Sequence, residues 1–241
     1  MTTSSQPVEK KFELVETVFD NMFRIKAIKS FGKIHEGDLG GLVEKEENLS
    51  QEGTCWIDKD AKVYGNARVK DHARICDHAE VFGDAVVCEY AKVSDNAKVF
   101  GRARVFNLAS ISCSSEIFGN AEIDGNARVS GNARVYGSAN VADRSYIDGN
   151  AEVAGNAVVC GEARVSHHAV VIGDSEISEN ALVIEHARVE GYGNTIIRGK
   201  AIVGENVIVR GGAIIEKREH LRGHIIIDGN EETEYLSDLS E

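Results

Sequence analysis

The sequence predicts an all-β parallel solenoid, and three observations carry that prediction. A β-branched residue returns at every sixth position from Ile57 through Val63, Val69, Ile75 and Val81 to Val171, Ile177 and Val183 without a gap. Four places after each stands Ala, from Ala61 to Ala187, with Ser115, Ser145 and Ser175 as the exceptions. Between them the third and fourth places favour Gly-Asn, as at Gly65-Asn66, Gly119-Asn120, Gly131-Asn132, Gly149-Asn150 and Gly155-Asn156. These residue types tolerate positive φ and permit a corner. Each unit therefore reads as a short strand with Ala and Val inward and variable residues outward, followed by a turn. A six-residue period matches neither a free helix nor a hairpin meander. A single unit cannot bury its own Val and Ala, whereas stacked coils can, and burying one such Val contributes about 1.5 to 3 kcal/mol.

In chain order, residues 1–10 read as a loose start. Alternating apolar and polar residues over 11–18 and 22–31 flank Phe19-Asp20-Asn21 and predict a β-hairpin. GDLGGLV (37–43) and LSQEGTCWI (49–57) follow, and because Val43 and Leu49 are already six apart, coiling is expected to begin there. The frame holds to Val189 and slips by two residues through Gly191-Tyr192-Gly193. It resumes at Ile197, Val203, Val209, Ile215, Leu221 and Ile227, so a small corner bulge is expected. Outward places turn apolar towards this end, at Val170, Ile172, Leu182, Ile184, Ile196, Ile202, Ile208, Ile214 and Ile226. So much aliphatic surface calls for a cover, either another subunit or a folded-back segment. The acidic stretch 228–241 has too few apolar residues to hold itself in a core and is expected to be disordered or weakly docked. The expected division is a hairpin and cap over 1–42, repeats over 43–227 and the tail over 228–241.

The period and the small inward residues resemble the hexapeptide-repeat superfamily of left-handed parallel β-helices. That resemblance implies a single-stranded triangular solenoid closed by three units per coil, with the N-terminal β-hairpin as its cap. The GDLGGLV and LSQEGTCWI motifs resemble the caps of bacterial and phage or prophage hexapeptide-repeat proteins, several of which carry an acetyltransferase label. This second resemblance covers roughly residues 11–100; beyond them only the period is shared.

The 241 residues, 42% hydrophobic and 27% charged, suit one domain with short appendages. There is no apolar run near eighteen residues and no signal-peptide pattern, so a cytoplasmic location and no membrane partner are expected. The net charge of −12 divides as −3 over 1–56, −3 over 57–227 and −6 over 228–241. The repeats are nearly neutral and lack the basic footprint of a nucleic-acid binder. Five Cys are expected to be free thiols: Cys88 and Cys160 share a face but lie four coils apart, about 19 Å at the usual strand spacing. No CxxC occurs, and no metal is expected.

With three units per coil, residues eighteen apart stack. One outward column then reads Tyr64, Phe82, Phe100, Phe118 and Tyr136, followed by Ala154 and Ile172. Beside it Lys62, Glu80, Lys98, Glu116, Arg134 and Glu152 alternate in sign, as favourable cross-strand neighbours do. The column is either a ladder that stabilises its own sheet or a flat docking face, and the second reading is preferred. Tyr64, Phe82, Phe100, Phe118, Tyr136 and Ile172 are the interface candidates. His78, His168 and His186 share a corner column with Asn and Asp, and His167 adjoins His168. Corner residues that favour positive φ are the plainer explanation of these histidines. The resemblance implies an enzyme alternative, acetyl-CoA-dependent acyl transfer with a His base under a protruding loop, for which His168 or His186 would serve. The uninterrupted units supply no such loop, and phosphate-loop, GxSxG and HExxH motifs are absent. The expected function is thus a non-enzymatic solenoid, a homo-oligomer or a binder of a host or other partner protein, with no cofactor. End-to-end polymerisation is disfavoured if the hairpin and the tail cover the ends.

Overall fold

A computed structural model describes residues 9–18, 21–216 and 218–229 of the chain. Part of the predicted hairpin turn and the acidic tail from residue 230 lie outside the described residues. The chain divides into two compact units, Met1–Ser130 and Gly131–Glu241. Among the described residues there is no α-helix, and no helix is long and apolar enough to cross a membrane.

The first unit opens with the predicted hairpin. Strand β1 (Phe12–Glu16) runs antiparallel to β2 (Phe23–Ala27), with Phe12 opposite Ala27 and Glu16 opposite Phe23. Strand β3 (Leu39–Val43) pairs antiparallel with β2 and, after β4 (Trp56–Ile57), parallel with β5 (Lys62–Val63). It therefore belongs to the cap and to the first coil at once, and Leu49 next meets Val69 of β6 (Arg68–Val69) in a parallel bridge. The glycines of GDLGGLV are explained by this double duty. A Cβ on Gly41 would lie 2.4 Å from Ile57 Cγ2 and 2.5 Å from the Ala61 carbonyl oxygen; one on Gly40 would lie 2.6 Å from the Ile57 carbonyl oxygen and from Trp56 Cζ2. Only a strand without side chains at those two places can lie this flat on the coil.

The cap is also locked by a buried lysine that the periodicity gave no reason to notice. Lys11 is 1% exposed, and its ammonium donates to the carbonyls of Glu52, Gly53 and Cys55 at 3.0, 3.2 and 3.2 Å. It lies 3.2 Å from Cys55 Sγ and 5.1 Å from the centre of the Phe31 ring. Burial lowers the Lys11 pKa and raises that of Cys55. Asn48, fully buried, ties the exit of β3 to the next coil: its Oδ1 accepts from the Glu44 and Lys45 N–H groups, and its Nδ2 donates to the Gly65 and Ala67 carbonyls.

Within this unit the two-residue strands from β4 onward pair in parallel at a spacing of eighteen residues. One face stacks Trp56, Arg74, Lys92, Ser110 and Arg128; a second stacks Lys62, Glu80, Lys98 and Glu116; a third stacks Arg68, Val86, Arg104 and Glu122. The Val, Ile and Ala at the predicted inward places are buried. Ser115 keeps the Ala place because its hydroxyl donates to the Ser112 carbonyl at 2.7 Å. Ser145 and Ser175 in the second unit do the same towards Ala142 and Ile172.

The corners correct one expectation. Positive φ falls on the third place at the described repeat corners, with Gly212 the fourth-place exception, so the Asn and His of the fourth place are not there for that reason: Asp77, His167 and Glu185 have φ of 56°, 64° and 61°, whereas His78, His168 and His186, each one residue later, do not. A left-handed non-Gly residue costs about 1–2 kcal/mol, and the acidic ones recover it locally. The carboxylates of Asp71, Asp77, Glu89 and Asp95 accept from the N–H of Glu89, Asp95, Asn107 and Cys113, the equivalent residues one coil on, at 2.8 to 3.2 Å.

In the second unit the same register runs through Arg134, Glu152 and Val170, through Asn140, Val158 and Glu176, and through Tyr146, Arg164 and Leu182. The predicted slip is present. Strands Val170–Ile177 and Arg188–Ile197 turn a corner together, with Gly173 opposite Gly191 but Ser175 opposite Thr195. The two extra residues leave Tyr192 70% exposed. Most of the outward aliphatics here are half-buried, whereas Ile214 and Ile226 are exposed; no described segment folds back over those two.

Replacing Gly41 with Val should force β3 off the first coil. The expected outcome is a loss of about 1 to 3 kcal/mol, read as a lower thermal midpoint together with proteolytic cleavage confined to the cap.

Candidate functional site

On the second face of the first unit, parallel in-register pairing sets like side chains one strand spacing apart. Tyr64, Phe82, Phe100 and Phe118 consequently stack, with centroid separations of 5.0, 4.8 and 4.9 Å and interplanar angles of 1°, 1° and 5°. All four are half-buried, because ring faces lie against ring faces and the edges meet solvent. Glu80 anchors the start of the column: Tyr64 Oη donates to its Oε2 at 3.2 Å, and Lys62 Nζ lies 3.6 Å from its Oε1. Burial, and then the neighbouring Glu80 carboxylate, push the Tyr64 phenol up to about 12. Where the column reaches the cap, Met22, Leu42, Lys62, Tyr64 and Glu80 line a shallow depression.

In the second unit Tyr136, Ala154 and Ile172 hold the matching place, followed by Glu190. Tyr136 Oη donates to Glu152, and this bond, before burial, raises the Tyr136 pKa. The Arg134 guanidinium lies 5.5 Å from the ring centre and 3.9 Å from Glu152 Oε1. Aromatic character stops there: Ala154 is buried, Ile172 is half-buried, and Glu190 is held by Arg188 at 2.6 Å. The candidates thus form a stack of four in one unit, with Tyr136 and Ile172 in the other separated from each other by Ala154.

The histidine candidates also meet. His168 and His186 stack at 4.9 Å and 5°. His167 Nδ1 lies 3.1 Å from Ser166 Oγ and accepts from the Glu185 N–H at 3.4 Å. His167, His168 and His186 are all exposed. The Gly191–Gly193 bulge occupies the following corner, beyond the strand through Arg188 and Glu190, so it does not wall the pair in. Among the described residues no group of three or more His, Cys, Asp or Glu could hold a metal ion. The five cysteines are free; Cys113 is exposed, whereas burial and then the Asp58 carboxylate push the Cys76 thiol up to about 12.

The sequence reading passed over Tyr90 and Leu108, which are 62% and 57% exposed. The available signal was their fourth-place position, where Asn is usual and an apolar side chain has no corner to serve.

With this geometry in place, the YdcK β-solenoid repeat family matches residues 127–141. The chain is a β-solenoid built from six-residue repeats. It is 40% identical over 53 residues to an Escherichia coli (strain K12) protein named uncharacterized acetyltransferase YdcK. That match takes in 22% of this solenoid and 16% of the relative, so the likeness reaches a small part of the relative's length.

Raising the Tyr64 pKa has a signed consequence for the solenoid. The stabilisation from the protonated phenol is complete below the ordinary value of 10.0 and is lost as pH rises through about 12. Thermal melts across that window should show a decline in wild type that is smaller in Tyr64→Phe.

Proposed function

We propose that this chain is a non-enzymatic binding scaffold whose second face, marked by the stacked rings of Tyr64, Phe82, Phe100 and Phe118, docks a protein surface, either a sister subunit or a different partner. The observation that carries this reading is the column itself: four rings on one flat wall, held rigid by their own stacking and by Glu80 at one end. Aromatic surface of this kind is enriched at protein interfaces and loses little conformational entropy on binding. Tyr136 and Ile172 extend the candidate set in the second unit. Nothing in this reading calls for a cofactor, and inhibition of a host protein by a phage-related chain is the narrower version suggested by the resemblance of the cap.

Acetyl transfer is the second reading, favoured by the name of the relative that shares 53 residues. His168 and His186 would then be the candidate bases and acetyl-CoA the donor. Against it stand the exposure of both rings and the placing of the bulge at the next corner, across the strand through Arg188 and Glu190, where it does not wall them in.

Two substitutions one residue apart test the docking face. Phe100→Asp should leave the circular dichroism spectrum and cooperative melt intact while lowering the mass seen by light scattering or abolishing partner capture; unchanged mass and unchanged capture would remove the proposal. Val99→Asp, at a fully buried position, should instead abolish the cooperative melt, because it places an unpaired carboxylate in the core. The enzyme reading is tested separately by release of free thiol from acetyl-CoA in the presence of amine acceptors. No release above the rate in buffer is expected, and release abolished by His168→Ala would favour acyl transfer.

A further inference from the structure

Where the Phe31–Ile34 turn of the cap approaches the first face, a groove opens that the docking reading does not use; Lys33, Thr54, His72, Arg74, Tyr90 and Lys92 lie along it. Its charge runs against that of the chain, whose net is −12. Lys33 and Lys92 are exposed, and neither has an ion-pair partner among the described residues. Arg74 is held by Asp58 through Nη2 at 2.7 Å, while its Nε is buried with no acceptor. The neighbouring carboxylates each have a partner: Asp58 in Arg74, Asp71 in the Glu89 N–H and Glu89 in the Asn107 N–H. One wall is rigid and partly apolar. The His72 ring is fixed by Thr54 Oγ1 at 2.8 Å from Nδ1 and stacks on Tyr90 at 4.6 Å and 19°. Tyr90 is 62% exposed.

We propose that this groove binds a phosphate-bearing ligand, with the phosphoryl oxygens between Lys33 and Lys92 over Arg74 and any organic portion along Tyr90. Two free ammonium groups line one concavity beside the Asp58-paired guanidinium of Arg74, and charge-assisted hydrogen bonds to phosphate are among the stronger polar contacts. The fork of Arg74, already oriented by Asp58, adds no ordering cost on binding.

Calorimetric titration of the full chain at low salt with pyrophosphate, ADP and adenosine tests the proposal. Pyrophosphate and ADP should bind and adenosine should not, and Lys33→Glu and Lys92→Glu should each weaken pyrophosphate by about tenfold or more. ADP binding tighter than pyrophosphate, and reduced to its level by Tyr90→Ala, would place the organic portion on the ring; equal affinities would make the phosphoryl group the whole of the recognised chemistry. Absence of pyrophosphate heat, or binding that survives both charge reversals in variants with wild-type melts, would overturn the proposal. Phe100→Asp, on a different face, should bind pyrophosphate as wild type does, so failure of the groove and failure of the docking face are separable.

Discussion

The structure depends on one constraint: a coil of eighteen residues must present the same inward side chains to the coil above and below it. Val or Ile stacks over Val or Ile, with Ala stacked at its own place, and these side chains are buried. A misfit at one level would be passed to its neighbours, since interiors at this density deform little. Ser115, Ser145 and Ser175 are tolerated because each hydroxyl finds a carbonyl three residues back in its own coil. The constraint then propagates outward. Residues that stack inside also stack outside, which is why rings lie on rings and why Arg104 meets Glu122 and Arg144 meets Glu162. These ion pairs are surface contacts worth little each; their main effect is to avoid like charges at one strand spacing.

A parallel solenoid leaves an open end that must be closed if its strands are not to pair with other chains. The hairpin closes the N-terminal end here, and its docking rests on two opposite devices. Gly40 and Gly41 remove side chains so that β3 can lie on the coil, whereas Lys11 inserts a long one. An ammonium in a site that is 1% exposed would be costly alone. Three carbonyls, a thiol and an aromatic face take the place of water, and among the described residues no carboxylate pairs with it. Because the carbonyls come from the loop just before β4, the lysine fixes the cap to that loop.

The described repeat corners are short turns, and the bulge at Gly191–Gly193 adds two residues. Two surface features stand out in the first unit: a stack of aromatic edges on one wall, and a cationic groove where the cap approaches another.

The repeat alone determined the solenoid, its inward residues, the start of coiling near Val43 and the two-residue slip, because a strict period leaves one way to bury every Val. It also placed Tyr64, Phe82, Phe100 and Phe118 in one column, since stacking follows from counting by eighteen. The tertiary structure decided what counting cannot reach. It showed that positive φ sits one residue before His168 and His186, that Ala154 is buried where the aromatic column ends, and that Lys11, Tyr90 and Lys33 matter at all. These last depend on contacts between the aperiodic cap and the coils, and on how far each ring is covered by its neighbours, quantities fixed by distance in space and not by position in the repeat.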